Sequence, residues 1–233
     1  RFQALRDLRE RLDTGTFLPP GRRKAKTPLG GRADAQRQAH RLFLHRRPTP
    51  VALDTPLCDF GWPAPDFTLE DTAGRAHTRD SLRGPNGLLL MFICNHCPYV
   101  QAVIERICRD ARDLQALGVG VAAIMSNDPA AYPEDSPEHM QALARRLDFS
   151  FPYLFDATQD VARAYGAVCT PDFFGFNRAL QLQYRGRLDA SGRGPAAPDA
   201  RRELFEAMRE VAVTGAGPRA QAPSIGCSIK WRA

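Results

Sequence analysis

The sequence predicts an α/β domain of three layers, in which a central mixed β-sheet is flanked by helices. Strand-like and helix-like patterns alternate along residues 57–215. Two apolar runs, residues 87–93 and Val119–Met125, have the length and composition of strands that are buried on both faces. Further along, only a tight turn separates two strand patterns, and such a turn joins antiparallel strands. The predicted sheet is therefore mixed.

The individual elements follow from local periodicity and from the residues that begin and end helices. Apolar residues after Pro98 recur every three or four positions until Gly118 ends the helix. Ser136 followed by a proline is typical of a second helix start. Two more helices are predicted at residues 159–165 and 201–213. The predicted strands are residues 67–70, 87–93, 119–125, 153–155, 173–176 and 180–184.

The positive charge of the chain belongs to its N-terminal part. The net charge is +6, but residues 1–50 carry 13 Lys and Arg against 4 Asp and Glu, whereas residues 51–233 carry 19 against 22. We predict that residues 1–56 form a basic, flexible arm, because their short helical patterns at 2–12 and 33–44 cannot close a core. Cations without interleaved aromatic residues favour solvated chain over a nucleic-acid partner.

Other partners and cofactors are constrained by composition. The longest apolar run, residues 87–93, is far shorter than the roughly 20 residues that span a bilayer, so no membrane partner is expected. Six cysteines in 233 residues are too few for a disulfide scaffold. No secretory leader is recognisable, which favours the cytoplasm. No metal or other cofactor is expected, and the oligomeric state stays open.

The strongest chemical signal is the segment Cys94-Asn-His-Cys97, placed where a buried strand gives way to a helix. The free N–H groups and the dipole at a helix start favour an anion, so a thiol there ionises readily. We predict that Cys94 attacks, that His96 lowers its pKa, and that Cys97 resolves the mixed disulfide.

Two other interpretations of these cysteines remain. They could be small buried residues with no chemistry. They could also form a non-catalytic module that handles zinc, copper or an iron–sulfur cluster, with Cys94, Cys97, His96 and Cys169 as donors. The absence of a second pair of closely spaced cysteines disfavours such a site.

A second signal lies directly before the strand predicted at residues 173–176. A proline at the start of an interior strand often marks a cis bond, so Thr170 and Pro171 would offer backbone N–H and C=O groups to a bound substrate. Cys169 lies two residues before that proline. It could serve as an additional redox thiol or simply fill space beneath the loop.

The C-terminal tail, residues 216–233, contains an apolar and aromatic segment at residues 225–231 that must dock on the domain. If this segment returns toward the cysteine pair, Cys227 becomes a further candidate redox thiol.

Together these features resemble the thioredoxin fold, and the segment Trp62-Pro-Ala-Pro-Asp-Phe-Thr-Leu69 resembles the start of its peroxiredoxin-like (alkyl hydroperoxide reductase/thiol-specific antioxidant) branch. More narrowly, four segments are similar to peroxiredoxin-like proteins of the thioredoxin family: Phe92-Ile-Cys-Asn-His-Cys-Pro-Tyr-Val100, Val168-Cys-Thr-Pro-Asp-Phe-Phe174, Tyr184-Arg-Gly-Arg-Leu-Asp189 and Pro223-Ser-Ile-Gly-Cys-Ser-Ile-Lys-Trp231. The resemblance covers residues 57–231 and implies a redox-active dithiol.

The same resemblance weakens the case for a peroxidase. Peroxiredoxins place a proline seven residues and a threonine or serine three residues before the cysteine that attacks peroxide. Counting back from Cys97 gives Leu90 and Cys94, and counting back from Cys94 gives Gly87 and Met91. The sequence therefore predicts a thiol–disulfide oxidoreductase that acts on a protein or low-molecular-weight thiol or disulfide, with an antioxidant peroxidase as the alternative.

Overall fold

The computed structural model describes residues 51–232. The two helical patterns predicted within residues 2–44, and the flexibility of the arm up to residue 50, lie outside the described residues. No helix within residues 51–232 is long and apolar enough to cross a membrane.

Ten strands and five α-helices cover the described chain. The strands are β1 (Ala52–Asp54), β2 (Thr68–Asp71), β3 (Ala76–Thr78), β4 (Gly87–Phe92), β5 (Val119–Met125), β6 (Tyr153–Phe155), β7 (Cys169–Thr170), β8 (Asp172–Phe176), β9 (Leu182–Tyr184) and β10 (Ile225–Ser228). The helices are α1 (Arg79–Leu82), α2 (Pro98–Ala116), α3 (Pro137–Arg146), α4 (Asp160–Tyr165) and α5 (Glu203–Thr214). A short 3₁₀ turn, Pro133–Asp135, precedes α3.

Seven strands form the central sheet, in the order β3-β2-β6-β5-β4-β8-β9. β4 pairs in parallel with β5, and β5 with β6, whereas β4 and β8 are antiparallel, as are β8 and β9. The predicted mixed sheet and the predicted hairpin are confirmed. β4 has a neighbour on both sides, so its carboxyl end opens at the middle of the sheet.

Alternate residues of β4 enter two separate apolar clusters, one on each face of the sheet. Leu89 and Met91 pack with α2 and α5, whereas Leu88 and Leu90 pack with α1 and α4. This arrangement gives the three layers that the sequence predicts. All six residues of β4 are buried, in agreement with their continuous apolar character.

A second, three-stranded sheet has the order β1-β10-β7. Its strand β1 lies within residues 1–56, so the predicted boundary of the arm is wrong: the folded unit already includes residues 52–54. These residues are exposed and carry no burial pattern, and only their pairing with β10 makes them a strand. The predicted docking of the tail agrees with this sheet, because β10 lies between β1 and β7.

Gly226 explains why the tail strand can lie so close to β7. A Cβ atom at this position would come within 2.2 Å of the carbonyl oxygen of Thr170 and 3.0 Å of the nitrogen of Pro171. A side chain there would overlap with backbone that cannot move without breaking the strand pairing. Glycine is therefore required by the close approach of the two strands.

Candidate functional site

The cysteine pair lies at the carboxyl end of β4, the central strand. Cys94 follows this strand by two residues, and Cys97 is the residue that caps the N-terminus of α2. Both cysteines are buried, with exposed fractions of 1% and 0%. All six cysteines have free thiols in this structure. The pair therefore stands at the predicted junction of strand and helix, but it is covered rather than open.

The register between β4 and β8 brings Thr170 to the cysteine pair. Phe92 pairs with Asp172, and continuing this antiparallel register by two residues places Cys94 opposite Thr170. The Sγ atom of Cys94 lies 3.3 Å from the Thr170 hydroxyl, and the Sγ–H of Cys97 donates to the Thr170 carbonyl at 3.1 Å. The Thr170–Pro171 peptide bond is cis.

The edge of Thr170 that was predicted to be free for a substrate is occupied by the protein's own tail. In the antiparallel pairing of β10 with β7, Cys227 is the partner of Thr170, and Ser228 is the partner of Cys169. Without knowledge of this long-range pairing, sequence reasoning could not see that the backbone groups were already in use. This part of the prediction for Thr170 and Pro171 is therefore corrected.

The returning tail also adds a third thiol to the site. Cys227 is the strand partner of Thr170, whose carbonyl accepts from Cys97, and Cys227 is 3% exposed. Thr170 thus brings together cysteines from two segments, Cys94 and Cys97 from the loop and Cys227 from the tail strand.

Cys169 has a different environment. It is fully buried, and its Sγ–H contacts the carbonyl of Pro171 at 3.6 Å. Burial, followed by the charge of Asp172, raises the pKa of the Cys169 thiol. These surroundings favour the prediction that Cys169 fills space beneath the loop over the prediction that it is an additional redox thiol.

Of the three central thiols, Cys97 has the lowest pKa. The hydrogen bond from the Cys94 thiol lowers the pKa of Cys97 to about 5, although burial acts in the opposite direction. Thr170, the Val100 amide in the first turn of α2 and the Cys227 thiol lower this pKa further. The negative charge of the reduced site therefore rests mainly on Cys97.

In this structure the direction of the pKa shift of Cys94 is opposite to the predicted one, and the role of Cys94 as the attacking thiol stays a prediction. Burial raises the pKa of the Cys94 thiol well above its ordinary value, and the hydrogen bond with Cys97 and the negative charge of Asp135 act in the same direction. Only the contact with Thr170 opposes them. The sequence predicts the helix start correctly. It does not show which of the two thiols the surrounding groups favour in its ionised form.

His96 is hydrogen-bonded to a buried carboxylate and also lies close to Cys94, since ligand atoms of Cys94, His96 and Asp135 are all within 4.8 Å of one another. Its Nδ1 atom lies 2.6 Å from Oδ2 of Asp135, and its ring stacks on Tyr132 with centroids 4.7 Å apart. Asp135 is fully buried, and hydrogen bonds from His96 and Asn127 hold its pKa below the ordinary value despite the opposing effect of burial. The predicted effect of His96 on the pKa of Cys94 stays a prediction.

Asp135 organises the loop between the two cysteines. Its Oδ1 atom accepts the backbone N–H groups of Asn95 and His96 at 2.8 and 3.2 Å, and its Oδ2 atom accepts the Asn127 side-chain amide at 2.8 Å. These bonds fix the backbone of both residues that separate Cys94 from Cys97.

Sequence reasoning missed Asp135 and Asn127. A signal was present, since the carboxyl ends of β4 and β5 are adjacent in a parallel sheet and polar residues follow β5 directly. Asn127 also accepts the N–H of Lys230 at 2.8 Å, so it binds both the loop and the tail.

One group of side chains in the described residues has the spacing of metal ligands. Ligand atoms of Cys94, His96 and Asp135 all lie within 4.8 Å of one another. The sequence considered Cys94 and His96 together with Cys97 and Cys169, and neither of the last two belongs to this group. Both oxygens of Asp135 already accept hydrogen bonds, so a metal would have to displace His96 from its carboxylate.

A cavity of about 520 Å³ opens beside Cys94. It lies between the start of α2 and the end of α3, and its lining includes Gln101, Glu105, Leu143 and Arg146. Cys94 belongs to this lining, whereas Cys97 and Cys227 do not.

Comparison with known proteins gives the family. The sequence model described as the AhpC/TSA family matches residues 60–186, more than half of the chain. The chain belongs to the AhpC/TSA family. No protein of curated function matches it.

Solved structures include two close relatives of this AhpC/TSA family member. An uncharacterized conserved protein from Geobacillus kaustophilus is 42% identical, with a TM-score of 0.74 over 79% of this chain and 98% of that chain. A hypothetical protein from Sinorhizobium meliloti 1021 is 38% identical, with a TM-score of 0.72 over 77% and 98%. A secreted disulfide oxidoreductase from Mycobacterium tuberculosis matches at 19% identity and a TM-score of 0.43, over 50% and 80%. The descriptions of the first two proteins assign them no activity, and the third is described as a disulfide oxidoreductase. The fold class of this chain is α/β, with a central mixed sheet.

Proposed function

We propose that this AhpC/TSA family member is a thiol–disulfide oxidoreductase in which Cys94 attacks the substrate and Cys97 resolves the mixed disulfide. The observation that carries the proposal is the shared contact of the two sulfurs with Thr170 at the carboxyl end of β4. A hydrogen-bonded dithiol at a helix start holds one negative charge near neutral pH. Such a pair can exchange with a disulfide without a cofactor.

Thr170 supports the form of the pair that attacks. When the remaining proton moves from Cys94 to Cys97, the Cys97 thiol donates to the Thr170 carbonyl, and the Thr170 hydroxyl donates to the Cys94 thiolate. The proton moves only between two sulfurs that are already in contact. After this proton transfer the negative charge is on Cys94, and Cys94 is then the nucleophile.

The cavity determines which sulfur the substrate reaches. Both cysteines are buried, but Cys94 belongs to the lining of this cavity, beside Gln101 and Arg146, and Cys97 does not. Because β10 occupies the backbone edge of Thr170, an extended peptide cannot pair there. These two features favour a low-molecular-weight disulfide over a protein substrate.

The reductive half-cycle needs no other reagent. The Cys94 thiolate attacks one sulfur of the substrate disulfide, and the first product leaves as a thiolate. Cys97 then attacks the Cys94 sulfur of the mixed disulfide, which releases the second product thiolate and leaves a Cys94–Cys97 disulfide. An external dithiol, reacting in the reverse sense, restores the reduced pair.

The proposal is tested by trapping the mixed disulfide with glutathione disulfide as the probe. Cys97→Ser should accumulate one glutathione on Cys94, detected by intact mass and peptide mapping, and Cys94→Ser should accumulate none. Cys108→Ser, which removes a buried thiol from the middle of α2, should turn over like the native chain. Equal glutathionylation of both single variants would contradict the assigned roles.

A peroxidase remains the alternative. Saturable consumption of an alkyl hydroperoxide, faster than the reduction of glutathione disulfide by the same sample, would favour it. The residues that precede Cys94 argue against this outcome: Leu90 and Met91 are buried in β4, and their side chains have no donor for a peroxide.

A further inference from the structure

The tail strand β10 takes the position beside Thr170 that a peptide substrate would need. Its pairing with β7 is antiparallel, and Gly226 lets the two backbones approach closely. The residue that β10 places opposite Thr170 is Cys227, so a thiol of the protein itself stands where a substrate sulfur would stand.

Cys97 is the central sulfur of this arrangement. Its thiol donates to the Thr170 carbonyl at 3.1 Å, the Cys94 sulfur lies 3.3 Å from the hydroxyl of the same residue, and Cys227 is the strand partner of Thr170. Because all three cysteines meet at Thr170, either Cys94 or Cys227 can form a bond to Cys97 without an intermediate carrier. We propose that Cys227 is a second resolving thiol. It exchanges with the Cys94–Cys97 disulfide, so that a Cys97–Cys227 disulfide forms and the Cys94 thiol is released.

The step is an exchange without net oxidation. The Cys227 thiolate attacks the Cys97 sulfur, so that a Cys227–Cys97 bond forms and the Cys97–Cys94 bond breaks. Cys94 leaves with the electron pair as a thiolate, and the proton of Cys227 passes to it or to solvent. The proposal rests on the proposed function, which supplies the first disulfide.

The charges around Cys227 favour the step only after the pair is oxidised. In the reduced site, burial, the hydrogen bond with Cys97 and the negative charge of Cys97 raise the pKa of Cys227 to about 12. Once Cys97 is in a disulfide, the last two effects disappear, whereas burial, which raises this pKa most, and the cations of Lys230 and Arg193, which lower it, remain. Oxidation of the pair thus removes two of the three main effects that disfavour the Cys227 thiolate.

As a consequence, the oxidised protein would carry its disulfide between Cys97 and Cys227, away from the cavity. A Cys97–Cys227 bridge would join α2 to the tail strand and leave Cys94 reduced beside the cavity. A second substrate could then meet a free Cys94 thiol while the first oxidation is still held in the protein.

The test maps disulfides in the full chain after equilibration with reduced and oxidised dithiothreitol, acid quenching and alkylation. The native chain should give two disulfide-linked peptide pairs, Cys94–Cys97 and Cys97–Cys227. Cys94→Ser should give Cys97–Cys227 alone, and Cys227→Ser should lose that pair while keeping Cys94–Cys97. Cys227→Ala, examined alongside, should behave as Cys227→Ser does.

Two results would overturn the proposal. One is a native chain with Cys94–Cys97 alone, together with a Cys94→Ser variant that forms no bridge to Cys227. The other is a Cys108→Ser variant that loses the second bridge as fully as Cys227→Ser does. In the first case the proposed function still stands, because Cys94–Cys97 forms. Failure of the proposed function would instead appear as the absence of any disulfide at Cys94.

Discussion

Two regions of the chain bring a thiol to Cys97, and they hold it by different means. The junction of β4 and α2 holds Cys94 through three covalent links of backbone and through the Asp135 bonds to the loop. The tail holds Cys227 through the pairing of β10 with β1 and β7 and through the bond of Lys230 to Asn127. The first thiol is fixed by local geometry, whereas the second depends on contacts between distant parts of the chain.

The dithiol therefore depends on the junction, whereas the covering of Thr170 depends on the tail. The junction would be present in any chain with this strand, loop and helix. The tail both closes the edge of Thr170 and adds a thiol, so its loss should change substrate range and disulfide pattern more than it changes the dithiol itself. Variants that break one region and leave the other intact test the comparison.

The largest effect is expected from Cys97→Ser, because both regions depend on this sulfur. Loss of the resolving thiol stops the cycle at the mixed disulfide, so the steady-state reduction of glutathione disulfide should fall by at least about 100-fold. The rate of thiol release measures it. A variant that retains half of the native rate would contradict the central position of Cys97, and Cys108→Ser serves as the matched control.

Gly226→Val should break the tail region selectively. The new side chain overlaps with the Thr170 carbonyl, so β10 must move, and the free energy of unfolding should fall by about 2 kcal/mol in urea. The Cys97–Cys227 bridge should be lost, while the Cys94–Cys97 disulfide still forms. Ile225→Ala, on the same strand with a half-exposed side chain, should keep both disulfides.

Asp135→Asn should weaken the junction region. Without its negative charge the bonds to His96 and to two backbone amides weaken, and the free energy of unfolding at pH 7 should fall by about 2 kcal/mol. The exposed Asp54→Asn is the control.

The pH dependence of this loss follows from the lowered pKa of Asp135. A carboxyl whose folded pKa lies below its unfolded value of about 3.9 stabilises the fold above that value and loses this contribution as the pH falls through the folded pKa. The difference between native and Asp135→Asn chains should therefore shrink as the pH falls below about 5 and continues to fall through the folded pKa. A difference that grows on acidification would be the wrong sign.

Thr170→Val should give the smallest effect. It removes the hydroxyl that contacts Cys94 and keeps the shape of the side chain and the backbone pairing. The loss of one hydrogen bond to the attacking thiolate should slow alkylation of Cys94 about fivefold. Thr68→Val, an exposed threonine on β2, should leave the rate unchanged.

Local patterns predicted the elements that position the dithiol. The apolar run of β4, the helical period of α2 and the apolar run of β5 each determine an element without help from distant residues. The same patterns predicted the hairpin of β8 and β9, although its second strand begins at Leu182 rather than at residue 180.

The remaining features depend on distant pairing, which local patterns do not show. β1 is exposed along its whole length, and β10 has a glycine beside its cysteine, so neither has a strand periodicity. The burial of Cys94 and the location of the anion on Cys97 arise from groups on three separate segments: Asp135, Thr170 and Cys227. The cysteine spacing therefore predicted a dithiol but not the distribution of its charge.

The most direct test of the account is the ultraviolet titration of thiolate in the reduced chain. One thiolate should appear with a midpoint near pH 5, and it should be absent in Cys97→Ser, because Cys97 is the cysteine whose pKa is lowered to about 5. A native chain with no thiolate until about pH 8.5, the ordinary value for a cysteine, would contradict the account.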